Sequence, residues 1–440
     1  MDVIGLLRGL LGMAVILGIA LLVSSGRRNV NWRMVAGGLS IQLVLAVFIL
    51  KGEAMGAVFA PLGWPKAFFS WLSQVFVLIL QFTSAGSEFL FGPLALGPEQ
   101  DGSLGFYLAF QVLPVIIFFA SLMSILYYLG IMQKVVQGMA WLVSKVLKTS
   151  GAESLSVSAN VFVGQTEAPL VIKPFLEKMT RSELMAIMTG GMATIAGSVM
   201  ASYIKILGDT YAQAAGVPIE VGQQLFAEQL LGASLMAAPA ALILAKIIIP
   251  ETGKPLTSGT VKVDIPSEAS NVIDAAAAGA SDGLKLAANV GAMLLAFLAL
   301  IAMLNFGISS FAGLFGLELT LEKIFGFALA PIAWLIGVEW ADAVQFGSLL
   351  GTKVVTNEFV AYIQLSANMA EGVLAPKTVL MATFALCGFA NFSSIAIQIG
   401  GIGPMAPSRT SELAELGLRA VLAGTLANMM TATIAGVLAG

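Results

Sequence analysis

Two short motifs, GQTEAPLV at residues 164–171 and TNEFVAY at residues 356–362, each place a glutamate within an apolar stretch. Polar residues interrupt both stretches too often for either to be a simple spanning helix. A charge at membrane depth costs about 3 kcal/mol or more, so an acidic residue there is a candidate for function. Glu167 and Glu358, one in each half of the chain, therefore predict a shared polar site near the middle of a bilayer.

The composition around these motifs is that of a membrane protein. Hydrophobic residues make up 58% of the 440 residues and charged residues 11%, whereas a soluble chain carries about 25% charged residues. The apolar runs approach the ~20 residues that a helix needs to cross the hydrocarbon. They lack the strict alternation of an outer-membrane barrel. The predicted fold class is an all-α polytopic membrane protein.

Residue usage also excludes several kinds of chemistry. The sequence has no histidine and one cysteine, Cys387. Ser-His and Cys-His catalysis, imidazole or thiolate metal sites and disulfides are therefore excluded.

Hydropathy predicts eight transmembrane helices, at residues 6–23, 34–50, 106–129, 183–206, 227–249, 284–306, 379–401 and 417–438. Basic residues collect in cytoplasmic loops, and Arg27, Arg28 and Arg33 place the first loop inside. Alternating sides from there puts most of the 22 basic residues in the cytoplasm and both termini outside.

Four apolar stretches do not fit this topology as spans. Residues 66–91 and 132–148 are predicted to be interfacial helices, on the outer and inner sides respectively. Residues 154–177 and about 328–366 each hold one glutamate and begin and end on the same side. They are predicted to be opposed re-entrant hairpins, since irregular backbone at membrane depth needs protein or a water-filled cavity around it.

The helices that follow the two hairpins share a pattern. GMATIAGS at residues 191–198 and GFANFSS at 388–394 both read Gly-x-Ala-(Thr/Asn), with small and polar residues in the middle of an apolar span. Such residues are expected to break the helix, although close helix packing is an alternative. Each half then runs hairpin, broken helix, full helix. This order in an inverted repeat is typical of secondary transporters.

The polar groups of these segments favour a neutral ligand with hydroxyl groups. Neither the hairpins nor the broken helices contain arginine, which a carboxylate or phosphate substrate would favour. A vicinal diol can donate two hydrogen bonds to one carboxylate, and Phe389 and Phe392 offer flat faces for a ring.

An ion site is a further hypothesis. Carbonyls freed at Val163 and Ile195, with the side chains of Asn160 and Thr194, would form an oxygen cage for a small hard cation. Two alternatives stay open: Asn160 as a cap of the hairpin tip, and Thr194 bonded back to its own helix.

These motifs, together with CGFANFSSIA at residues 387–396, closely resemble the signature motifs of concentrative nucleoside transporters, and the resemblance covers nearly the whole chain. It implies a homotrimer in which a scaffold holds a transport domain that moves like an elevator. The implied scaffold is mainly residues 1–148, with a span and the cytoplasmic connection in 251–327. The implied transport domain is residues 149–250 and 328–440.

The resemblance also implies roles for individual residues. The nucleobase would face Gln165, Thr166, Glu167 and Val199. The ribose would be held by Glu358, Asn391 and Ser394, with Phe389 nearby. Sodium would be bound by Asn160, Val163, Thr194 and Ile195; some relatives have Ser at the position of Thr194.

The expected function is sodium-coupled symport of a uridine-like nucleoside into the cell, across the bacterial inner membrane and without a nucleic-acid partner. Other family members couple to protons, so proton coupling is the first alternative. A second alternative is an elevator-type transporter of carboxylates, but the predicted site lacks the arginine that such a substrate would need. An intramembrane enzyme would need two adjacent acids, which the sequence does not offer.

Overall fold

The computed structural model describes residues 3–97, 100–257 and 269–439, in which every regular element is helical. The predicted all-α membrane fold is confirmed. Residues 258–268, which carry Asp264 and Pro266 of the predicted cytoplasmic connection, lie outside the described residues.

Six helices precede the first half of the repeat: α1 (Val3–Leu22), α2 (Trp32–Val58), α3 (Trp64–Phe91), α4 (Leu108–Gln111), α5 (Leu113–Tyr128) and α6 (Ile131–Leu147). Local chemistry sets several of their ends. The Asn31 side chain caps α2 by accepting a hydrogen bond from the Met34 backbone N–H at 3.3 Å. Gly130, with φ of 74°, lets the chain turn from α5 into α6.

The first half of the repeat follows: α7 (Gly151–Ala159), α8 (Lys173–Leu176), α9 (Arg181–Ala193), α10 (Gly197–Ala215) and α11 (Ile219–Ile248). Helices α7 and α9 both begin with a capping box, in which Ser150 or Thr180 is paired with a glutamate three residues later. The predicted break lies at residues 194–196, where Thr194 has extended backbone (φ −117°, ψ 170°).

Two helices separate the halves: α12 (Val272–Gly313) and α13 (Leu321–Leu335). The second half then contains α14 (Trp340–Val355), α15 (Glu358–Ala370), α16 (Pro376–Leu386), α17 (Phe392–Ile402) and α18 (Thr410–Ala439). The second predicted break is observed at residues 387–391, between α16 and α17.

The second predicted hairpin, about 328–366, contains more helices than a single pair. Helices α13 and α14 are bent by 119° at residues 336–339, where Gly337 has φ of 115°. A second interruption at residues 356–357 separates α14 from α15. The arms on either side of the glutamate motif are therefore α14 and α15.

Among the described residues, eight helical segments are long and apolar enough to cross a membrane, and seven of them coincide with predicted spans. The eighth is the segment that contains α3, so its predicted place along the outer interface stays a prediction. The predicted span at 379–401 is the broken pair α16 and α17. Helices α9, α11 and α18 contact one another and form the buried centre of the fold.

Candidate functional site

A cavity of about 720 Å³ lies where the two glutamate motifs meet the two helix breaks. Its far wall is the last two turns of α5, the start of α6 and residues 279–294 of α12. The cavity brings together every residue that the sequence assigned to the nucleoside: Gln165, Thr166, Glu167, Val199, Glu358, Phe389, Asn391 and Ser394.

The tip of the first predicted hairpin is irregular between Asn160 and Glu167. The Glu167 backbone N–H donates to the Gly164 carbonyl at 3.2 Å, which folds the chain tightly. The carboxylate of Glu167 lies over Gly164, where an added Cβ would stand 2.1 Å from Oε2. A larger residue at position 164 would displace the Glu167 carboxylate from this place. Since Glu167 is exposed to the cavity, its carboxylate is available to a ligand.

Glu358 is held differently, at the N-terminal end of α15. Asn357 caps this helix by accepting a hydrogen bond from the Val360 N–H at 2.9 Å. The Glu358 side chain is buried, and both of its oxygens accept hydrogen bonds: Oε1 from Tyr203 Oη at 2.8 Å and Oε2 from Asn391 Nδ2 at 3.1 Å. A carboxylate offers about four lone-pair positions, so two remain for a ligand.

Tyr203 was missed by sequence reasoning. It lies on α10, fully buried, with its ring centroid 4.4 Å from that of Tyr362 and 5.2 Å from that of Phe359. The available signal was its spacing. Tyr203 follows Val199 by four residues and so shares the face of α10 that was predicted to line the site.

Asn391 caps α17 while it contacts Glu358. Its Oδ1 accepts hydrogen bonds from the Ser394 N–H at 2.9 Å and from Ser393 Oγ at 2.7 Å. Phe392, predicted to offer a ring face, is exposed and does not line the cavity. Because successive helical residues point about 100° apart, the first turn of α17 directs Asn391 and Ser394 inward and Phe392 outward.

Gln165 connects the first hairpin tip to α17. Its Nε2 donates to Ser394 Oγ at 3.1 Å, and its Oε1 accepts from Gln398 Nε2 at 3.1 Å. Gln398, a second residue that sequence reasoning missed, also donates to the Met188 carbonyl at 3.0 Å. Gln398 lies one helical turn after Ser394, which was the signal available. Residues from both halves thus fix one amide at the cavity wall.

The residues assigned to sodium lie beside this cavity, around the tip of the first hairpin and the first break. Asn160 ends α7 and donates from Nδ2 to the Ser156 carbonyl at 3.2 Å, while its buried Oδ1 has no hydrogen-bond partner among the described residues. The tip contacts the break directly, since the Gly197 N–H donates to the Phe162 carbonyl at 2.9 Å.

The other sodium candidates also present oxygen atoms. Within the described ranges, no hydrogen bond is accepted by the carbonyl oxygens of Val163 or Ile195. Thr194 Oγ1 donates to the Gly190 carbonyl at 2.8 Å, the back-bond considered as an alternative, and its oxygen keeps its lone pairs. Amide, hydroxyl and carbonyl oxygens are the donors that a hard cation prefers. An unpartnered buried Asn160 oxygen fits such an ion.

Comparison with known proteins accords with this geometry. Family models described as the Na+ dependent nucleoside transporter N-terminus and C-terminus match residues 11–94 and 229–436, and one described as nucleoside recognition matches residues 109–210. The chain belongs to the concentrative nucleoside transporter family.

Relatives in this family match along nearly the whole chain. Nucleoside permease NupC of Helicobacter pylori is 40% identical over 434 residues, 98% of this chain and 97% of its own length. The transporter YutK of Bacillus subtilis is 48% identical over 97% of this chain and 98% of its own length. Sodium/nucleoside cotransporter 1 of mouse is 39% identical over 97% of this chain, which spans 63% of the mouse protein.

Solved structures of the family share the fold. The structure of CNTnw in an inward-facing substrate-bound state is 43% identical and has a TM-score of 0.86, covering 99% of this chain and 98% of that one. A CNTnw variant in an outward-facing state has a TM-score of 0.87. This chain is accordingly a nucleoside transporter rather than an enzyme.

Proposed function

We propose that this transporter is a sodium-coupled symporter that carries uridine-like nucleosides into the cell. The observation that carries the proposal is that the candidate ion site lies next to the cavity. The Asn160 side-chain oxygen and the Val163 and Ile195 carbonyls accept no hydrogen bond within the part of the chain that the structure describes, and they adjoin a cavity that holds both glutamates. The relative from mouse is named a sodium/nucleoside cotransporter, which supports sodium rather than protons as the coupling ion.

The nucleoside would be bound by both halves of the repeat. The ribose diol would donate to the two remaining lone-pair positions of Glu358, with Asn391 and Ser394 around it and Phe389 packed against the ring. The base would face Gln165, Thr166, Glu167 and Val199. The amide, hydroxyl and carboxylate of the first three match the polar edge of a base.

Alternating access would follow from movement of one domain against another. We assign residues 149–250 and 328–440 to the transport domain, and residues 1–148 and 251–327 mainly to the scaffold of a homotrimer in the bacterial inner membrane. The cavity wall on α12 is its N-terminal half, residues 279–294. With both termini outside, that half lies toward the cytoplasm, so the cavity in this structure would face inward.

The deciding experiment is isothermal calorimetry of uridine binding to the purified transporter in sodium chloride and in choline chloride at equal ionic strength. The proposal expects tight binding that requires sodium. Equal affinity in both salts, together with uptake driven by a proton gradient, would replace sodium by protons. Absence of uridine and purine nucleoside binding in either salt would contradict the substrate assignment.

A further inference from the structure

Lys353 on α14 is fully buried and has no carboxylate within ion-pair distance among the described residues. Its Nζ donates instead to the Ala385 carbonyl at 2.9 Å and to Asn428 Oδ1 at 2.7 Å. Burying an ammonium group is costly unless it is both paired with an opposite charge and hydrogen-bonded, and within the described ranges Lys353 has only the hydrogen bonds. A buried lysine without an ion-pair partner indicates a specific role, and Lys353 is not among the residues assigned to the nucleoside.

Asn428, on α18, is the second member of this group and is also buried. Its Nδ2 donates to the Ala193 carbonyl and to the Cys387 carbonyl, both at 2.7 Å. Carbonyl oxygens only accept hydrogen bonds and an ammonium only donates them, so the orientation of this amide is fixed by its partners. We call Lys353, Asn428 and the carbonyls of Ala193, Ala385 and Cys387 the crossover cluster.

The crossover cluster lies where the two broken helices touch. Ala193 is the last residue of α9 and Cys387 follows the last residue of α16, so their carbonyls lack helical partners and carry the negative end of a helix dipole. At Gly388 an added Cβ would stand 2.4 Å from Asn428 Oδ1 and 2.8 Å from the Ala193 oxygen. The Asn428 amide and the Lys353 ammonium therefore donate hydrogen bonds to the carbonyl groups at the C-terminal ends of both α9 and α16.

The residues that follow these helix ends are the ligands of the proposed function. Thr194 and Ile195, assigned to sodium, come directly after Ala193. Phe389 and Asn391, assigned to the nucleoside, come just after Cys387. Because one Asn428 amide group binds both Ala193 and Cys387, a displacement of either backbone segment changes the hydrogen bonds of the other.

From this geometry we propose that the crossover cluster couples the two sites, with Lys353 and Asn428 as positioning residues that make nucleoside affinity depend on sodium. The inference rests on the proposed function and names the residues responsible for its coupling. Coupling between two ligands is reciprocal, and it commonly amounts to about 5- to 150-fold in affinity. The two side chains touch neither ligand in this assignment, so they act through the backbone they hold.

The test compares the uridine dissociation constant in choline with that in sodium, measured by calorimetry at equal ionic strength. Asn428→Asp keeps an acceptor for Lys353 but loses both donors to the carbonyls. Lys353→Gln removes the charge. Both variants are expected to lower the choline-to-sodium ratio by at least about tenfold, while affinity in choline changes by less than about threefold.

A matched control is Thr433→Val on the same helix. Thr433 is equally buried, and its hydroxyl donates only to the Met429 carbonyl of its own helix at 2.8 Å. Its loss should leave the ratio unchanged. Asn428→Ser, which can reach one carbonyl but not both, is a milder variant in case Asn428→Asp does not fold.

The outcomes separate this inference from the proposed function. An unchanged ratio in Asn428→Asp and Lys353→Gln, or an equal loss of affinity in both salts, would overturn the coupling role and leave sodium symport intact. Failure of all three cluster variants to fold would assign the cluster to stability alone and overturn it too. A wild-type ratio near one would remove sodium coupling and this inference together.

Discussion

At the break between α9 and α10, Thr194 turns its hydroxyl back onto the Gly190 carbonyl, and the Ile195 carbonyl accepts no hydrogen bond among the described residues. At the break between α16 and α17, Asn391 caps the next helix and also donates to Glu358. Both breaks share the Gly-x-Ala-(Thr/Asn) pattern. The first break presents oxygens that suit a cation, whereas the second presents an amide that contacts the Glu358 carboxylate of α15. The same sequence pattern therefore gives two different sets of polar groups.

The largest expected effect comes from Glu358→Gln, which removes the charge that Asn391 of the second break contacts. The amide would offer one acceptor oxygen instead of two and would face Asn391 with a donor. Hydrogen bonds to charged groups contribute about 1.5–3 kcal/mol each, so uridine affinity should fall by about 100-fold or more in calorimetry. Selectivity for uridine over 2′,3′-dideoxyuridine should fall with it.

Glu371→Gln is the control for this substitution, because Glu371 is exposed and follows the other end of α15. It should bind uridine as the wild type does. Unaltered uridine binding by Glu358→Gln would contradict the ribose role of Glu358.

The candidate ion site beside the first break is tested by Asn160→Leu. This change deletes the unpartnered amide oxygen and fills its place with an apolar group of similar size. The sodium concentration needed for half-maximal uridine binding should rise by about 30-fold, within the usual range of site coupling. Ser154→Ala, at a buried hydroxyl of the same helix that already donates to the Ser150 carbonyl at 2.7 Å, should leave the sodium titration in place. A normal titration in Asn160→Leu would contradict the assignment of Asn160 to the sodium site.

Tyr203→Phe should have a moderate effect, because it removes one of the two hydrogen bonds that orient Glu358. Affinity for uridine should fall by roughly tenfold, with the sodium dependence retained. Tyr362→Phe is matched to it: Tyr362 is equally buried against Tyr203, but its hydroxyl donates to the Thr383 carbonyl at 2.8 Å. If both variants weaken binding equally, packing rather than the bond to Glu358 is responsible.

The smallest effect is expected for Thr194→Ser, which keeps the hydroxyl at the first break. The sodium titration should shift by less than about threefold, as expected when no hydrogen bond or charge is lost. Thr194→Val removes the hydroxyl at nearly constant volume and should shift the titration further. Equal behaviour of the two variants would show that the Thr194 hydroxyl is not a sodium ligand.

Local sequence was sufficient for much of this architecture. The membrane fold, the two glutamate motifs and both breaks follow from hydropathy and from polar or small residues within short windows. The placement of α3 does not follow from its sequence in this way, because a 28-residue apolar helix can either cross the membrane or lie along its surface. Length and composition do not distinguish these two placements.

Residues that act through tertiary contacts were the ones that sequence missed. Tyr203 is 155 positions from Glu358, and Asn428 is 235 positions from Ala193. Neither stands out in its own window, because a tyrosine or asparagine in a helix has no partner until the chain folds. Lys353 was visible as a lysine in an apolar segment, but the two acceptors that explain it lie on other elements.

The second break also contains Cys387, the single cysteine of the sequence, with its thiol buried against the Leu230 carbonyl. A buried thiol is shielded from maleimides, whereas a cysteine added at an exposed position reacts readily. The native protein is thus a ready background for fluorescent or spin labelling, with no cysteine to remove first. Pairs of labels, one on α12 and one on α18, could follow the transport cycle in single molecules.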